Sequence, residues 1–140
     1  MTLLVLTAGA AAAGAVTAAT DGTGASKVVE ALSAAGYAAV RDVERDDGLW
    51  EAEVEGPDGR WRDVHVVPES WEVLDPNDTA PMKTAAEVGA MLEAQGYRRV
   101  RELDLDEAVW DVEAVSPDGQ PVELRVHGFT GEILVVERDD

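Results

Sequence analysis

The side chains able to do chemistry in this sequence are few in kind. His65 and His127 are the only 2 histidines in 140 residues, and imidazole is the group most often used near neutral pH as general base, proton shuttle or zinc ligand. A catalytic or zinc site needs several His, Cys or carboxylate groups converging from fixed spacings. Each histidine here stands alone in a strand-like run whose alternation turns it toward solvent, so both read as polar strand positions. Cysteine is absent, which excludes disulfides, thiolate metal ligands and a Cys nucleophile. Acidic residues number 29, so common that pairs such as Asp46-Asp47 and Asp106-Glu107 read as solvated hairpin tips. The nearest calcium pattern, Asp75-Pro76-Asn77-Asp78, begins like an EF-hand loop but lacks the loop glycine and the closing glutamate, which leaves weak adventitious cation binding. There is no Gly-rich phosphate loop and no Ser nucleophile elbow. The expectation is a chain that is not an enzyme, with no catalytic residue, no cofactor and no metal site.

What positions these side chains is an internal repeat. A shift of 60 lays Ala25-to-Asp75 over Ala85-to-Val135 without a gap, and a third of the positions are identical. Gly36-Tyr37 falls on Gly96-Tyr97, Val40-Arg41 on Val100-Arg101, Trp50 on Trp110, Pro57-Asp58-Gly59 on Pro117-Asp118-Gly119, Val66 on Val126 and Leu74 on Leu134. His65 falls on Arg125 and His127 on Val67, so the histidines are not repeat equivalents. Each copy opens with apolar residues three and four apart (Val28, Ala31, Leu32 and Ala35; Val88, Met91 and Leu92), which predicts a helix that Gly36 or Gly96 stops. Thr84-Ala85-Ala86-Glu87 is a capping box for the second helix, whereas Gly24 and Lys27 start the first more loosely. The period then changes to two: Trp50, Ala52 and Val54 alternate with acids, as do Trp110, Val112 and Ala114. Pro-Asp-Gly closes a hairpin onto return strands with Val64 and Val66, or Val122, Leu124 and Val126, facing inward. A last short strand follows in each. The expected fold class is α+β, two tandem repeats of one helix on an antiparallel sheet of about four strands.

The tryptophans separate by that alignment. Trp50 and Trp110 are equivalents and belong to the two cores. Trp61 and Trp71 lie over Pro121 and Gly131 and so answer a need of one copy alone. Alternation turns Trp61 outward with Asp63 and His65, Trp71 stands near a loop, and Phe129 is close to the matching loop of the second copy. Trp61, Trp71 and Phe129 are therefore the candidate partner-binding residues, because exposed aromatics bring large contact area with few rotamers to freeze. The competing reading has Trp61 and Trp71 filling the seam that two small units need in order to dock.

Composition bounds the class. Hydrophobic residues make up 46% and charged residues 29%, the profile of a folded chain. The net charge of -18 repels phosphate backbones and anionic lipid, so nucleic acid is not an expected partner. Residues 1–19 are uncharged, with Leu3, Leu4, Val5 and Leu6 leading into Ala, Gly and Thr and ending Val16-Thr17-Ala18-Ala19. This is an apolar core followed by small residues at cleavage-compatible spacing, a signal peptide without the usual basic start. Its Ala and Gly content is too weakly apolar for an anchor. The expectation is a periplasmic or extracellular protein, with no stable membrane insertion after cleavage. Repeats are expected at 24–75 and 84–140, joined by a proline-stiffened linker at 76–83.

In order, helix, Gly-Tyr, acidic hairpin with Trp in its second strand, Asp-Gly turn, Val-rich strand and Thr-Gly-Glu-Ile-Leu resemble the PepSY domain. The second copy has Gly96-Tyr97, Trp110, Asp118-Gly119 and Thr130-Gly131-Glu132-Ile133-Leu134; the first departs from the pattern at Ser70-Trp71. The tandem arrangement is also similar in architecture to the β-lactamase inhibitor protein, an analogy that transfers no activity. The resemblance implies an inhibitory or regulatory binding module outside the cytoplasm. These 140 residues carry no protease domain of their own, so the partner expected from the resemblance is a separate protein, an extracytoplasmic protease or other hydrolase. The alternative is an envelope structural or stress-related interaction protein, or a weak cation-binding protein, that inhibits nothing.

Overall fold

The computed structural model describes residues 23–138; the leader expected over 1–19 lies outside them. The chain divides into two compact units at the short Val73–Leu74 strand that completes the first sheet. In the first, helix α1 (Thr23–Ala34) precedes strands β1 (Ala39–Asp46), β2 (Leu49–Glu55), β3 (Trp61–Val66) and β4 (Val73–Leu74). In the second, α2 (Ala85–Ala94) precedes β5 (Arg98–Asp106), β6 (Val109–Val115), β7 (Pro121–His127) and β8 (Ile133–Arg138). Each set of strands forms one antiparallel sheet in chain order. The two α+β repeats are those the sequence predicts.

Each helix ends by the same device. Gly36 and Gly96 take φ of 100° and 99°, open to glycine without a Cβ penalty. The following Tyr37 and Tyr97 amides donate back to the Leu32 and Leu92 carbonyls at 3.3 and 3.1 Å, the long bond of a Schellman motif. Both tyrosines then pack on the cores they close. The capping box of α2 is complete: the Glu87 amide donates to Thr84 Oγ1 at 3.1 Å and the Thr84 amide to Glu87 Oε1 at 2.9 Å.

The first core joins Val28 and Leu32 of α1 to Val40, Trp50, Ala52, Val54, Val64 and Val66. The second joins Val88 and Leu92 of α2 to Val112, Ala114, Val122, Leu124 and Val126. Fully burying one such aliphatic side chain is worth about 1.5–3 kcal/mol. Trp50 is 5% exposed, whereas its equivalent Trp110 is only partly buried at the edge of its core. Trp110 Nε1 donates to the Lys83 carbonyl at 3.1 Å, while Trp50 Nε1 is buried with no partner among the described residues.

The turns follow their chemistry. Gly59 and Gly119 take φ of 79° and 90°, and each amide donates to the carbonyl three residues back, that of Gly56 or Ser116, at 2.9 Å. Asp47-Gly48, with φ of 47° and 88°, makes the two-residue mirror-image turn that suits strand twist. Both copies break register after Arg41 or Arg101, with Asp42 and Glu102 at φ of 55° and 54°. The second copy has another break between Arg98 and Arg101, with Arg99 at φ 53°.

Candidate binding surface

In the first unit the face of the sheet turned away from α1 carries Arg41, Glu53, Glu55, Trp61 and Asp63, because Arg41 opposes Glu53, Glu53 opposes Asp63 and Glu55 opposes Trp61. Trp61 is 36% exposed, and the Arg41 guanidinium lies over its ring, 3.8 Å from the centroid. The same guanidinium donates through Nε to Glu53 at 2.6 Å. That hydrogen bond holds the Glu53 carboxyl below its ordinary pKa and raises that of Arg41. Clamped from above and flanked by acids, the indole is pre-ordered, which removes part of the entropy that binding otherwise loses.

Trp71 stands elsewhere. It follows β3, its amide donating to the Val67 carbonyl at 2.8 Å, so the strand separates it from Trp61 by on the order of 20 Å. It is half-buried and packs on the first core. Its φ of 59° matches the 82° of its equivalent Gly131, a left-handed conformation costly for a bulky residue. The exchange has a volume logic. A Cβ on Gly131 would lie 2.4 Å from Met91 Cε, and the equivalent of Met91 in the first copy is Ala31. One copy pairs a large helix residue with glycine and the other a small one with tryptophan.

Phe129 belongs to the second unit, half-buried and edge-on to His127, with ring centroids 6.0 Å apart. His127 Nδ1 accepts from the Phe129 and Thr130 amides at 3.1 and 3.2 Å, so the imidazole fixes the loop that presents Phe129. His65 and His127 are 0% and 2% exposed, which corrects the expectation that alternation turns them to solvent. Parity gives the face rightly, His65 opposing Glu51 and His127 opposing Val109, but both sides of the strand are buried at that end. His65 also has a carboxylate neighbour, a ring nitrogen and an Asp46 oxygen lying within 4.8 Å.

One arrangement escapes sequence reasoning. Arg125 is 6% exposed and is neutralised by Asp111 at 2.8 Å and Asp106 at 3.3 Å; the only signal is one basic residue in an apolar strand opposite an acid. The Asp75-Pro76-Asn77-Asp78 acids serve local turns, Asp75 Oδ1 accepting from the Asn77 amide at 2.8 Å and Asp78 Oδ1 from the Ala80 amide at 3.0 Å. Among the described residues no helix is long and apolar enough to cross a membrane.

Comparison with known proteins gives one result. A family model described as "Peptidase propeptide and YPEB domain" matches the chain twice, over residues 1–77 and 75–137. No curated protein and no solved structure was found to match the chain.

Proposed function

This chain belongs to the peptidase propeptide and YPEB domain (PepSY) family, carrying the domain in two tandem copies, and from that premise we propose that it is an exported, non-catalytic binding and regulatory module. The observation that supports it most is Trp61, an indole on an acidic sheet face and ordered by the Arg41 guanidinium. Large pre-ordered aromatics concentrate binding energy at protein interfaces. Trp71 and Phe129 would contribute their exposed edges while holding their own loops. The partner this reading favours is a separate extracytoplasmic protease or other hydrolase, which the module restrains. Family members that serve as propeptides offer the analogy for this reading.

The second reading is an envelope interaction or stress protein, or a weak cation buffer, with no inhibitory action. The net charge of -18 supports it, since many exposed carboxylates hold cations loosely without a built site. Co-purification from the envelope fraction of the producing cell separates the two. A hydrolase in the eluate whose turnover falls on titration with the purified protein is the expected result. An eluate whose hydrolases are indifferent to the protein would leave the second reading.

A further inference from the structure

The outer faces of the two sheets differ at one register position. Arg41 opposes Glu53 in the first and Arg101 opposes Glu113 in the second, with ion pairs of 2.6 and 3.4 Å. Beside this pair, Trp61 opposes Glu55, and Pro121 opposes Val115. In the first unit the indole fills the space beneath the guanidinium. In the second unit Pro121 is too short to do so. A pocket of about 200 Å³ lies there, lined by Arg99, Arg101, Glu113, Ala114, Val115, Pro121 and Val122. That is the scale of one side chain, below the ~300–1,000 Å³ of small-molecule sites.

A second difference reinforces the first. The extra bulge of β5 falls at Arg99, where the first copy has Ala39, and bulges re-aim side chains. Arg99 has no ion pair among the described residues. It is one of three arginines in Arg98-Arg99-Val100-Arg101, in a chain with only 11 basic residues and a net charge of -18. The pocket is thus an apolar floor of Val115 and Pro121 under a rim of Arg99, Arg101 and Glu113, in which Arg101 and Glu113 pair with each other and Arg99 is left over.

We propose that this pocket is a second binding site, on the other unit from Trp61, and that it takes an aromatic side chain of a protein partner whose ring stacks beneath Arg101 while an adjacent carboxylate pairs with Arg99. The first unit displays the first half of that chemistry within itself, Trp61 beneath Arg41. The site stands whether or not the partner is a hydrolase.

The test uses the isotope-labelled full chain, titrated in NMR with N-acetyltryptophan, with its carboxamide and with N-acetylleucine. N-acetyltryptophan should give saturable shifts at Val115, Val122 and the Arg99 and Arg101 side chains, with a dissociation constant on the order of millimolar. The carboxamide, Arg99→Ala and Arg101→Ala should each weaken binding by about threefold or more, and N-acetylleucine should leave those signals in place. Pro121→Trp, which gives the second repeat the residue of the first, should abolish the shifts with the rest of the sheet undisturbed. If that variant loses its dispersed spectrum, Arg101→Ala decides. No saturable shifts at these residues, shifts that survive Pro121→Trp, or an affinity unchanged by Arg101→Ala would overturn the proposal.

Discussion

Trp50 is 5% exposed and Trp61 36% exposed, so the same side chain carries different energies in the two places. A Cβ on Gly24 would lie 2.3 Å from Trp50 Cζ2, and a buried indole has no slack to move aside. Gly24→Ala sits in the first turn of α1, where the propensity gain is smaller than the roughly 1 kcal/mol of a helix interior; overpacking of about 1–3 kcal/mol opposes it and wins. Chemical denaturation should show a net loss of stability, and a gain would mean that the indole moves freely. Trp110→Ala should cost about 3 kcal/mol, the low end for a core aromatic, because the ring lies at the core's edge and also loses its bond to Lys83. A loss below about 1 kcal/mol in the same measurement would show that the ring packs on little.

At the level of elements, α2 is held at its N-terminus by a complete capping box. Thr84→Ala removes the hydroxyl that accepts from the Glu87 amide and should cost about 1 kcal/mol in a denaturant melt. The amide of Thr84 holds the Glu87 carboxyl below its ordinary pKa. A depressed folded pKa means stability that is present above the unfolded value of about 4.3 and lost as pH falls through the folded one. Melting of wild type and Glu87→Gln should therefore separate near neutrality and converge in acid, once pH has fallen below the depressed pKa of folded Glu87; a constant gap would deny the charge its role. This cap, the glycine stops and the Pro-Asp-Gly turns were legible in sequence because each is local chemistry within a few residues. The bulges at Asp42, Arg99 and Glu102 were not, since they arise from how neighbouring strands pair, and alternation carries no mark of one extra residue. Buried His65, His127 and Arg125 escaped for a related reason. Period two reports which face a side chain takes, and says nothing of what covers that face.

For the whole molecule, duplication is the organising fact. Residues kept by both copies serve the common fold, as Val28 and Val88, Leu32 and Leu92, or Val66 and Val126 do in the two cores. Residues that differ are where function is to be sought, and they divide again. Trp71 is balanced by Ala31 against Gly131 and Met91, a packing exchange no sequence position announces by itself, whereas Trp61 against Pro121 exchanges surface chemistry. The proposed leader makes its own prediction: mass spectrometry of natively expressed protein should find a mature terminus near Ala19 or Thr20, outside the cytoplasm, and an intact Met1 in the soluble cytoplasm would contradict export. The central claim is that the chain acts by binding another protein through the face bearing Trp61, and it is tested most directly by comparing immobilised wild type with Trp61→Ala as bait for the same envelope extract. The account predicts a protein retained by wild type and lost with the variant, while the melting of the two differs by no more than a surface substitution causes, about 0.5 kcal/mol. Equal retention by both, with the variant equally stable, would contradict it.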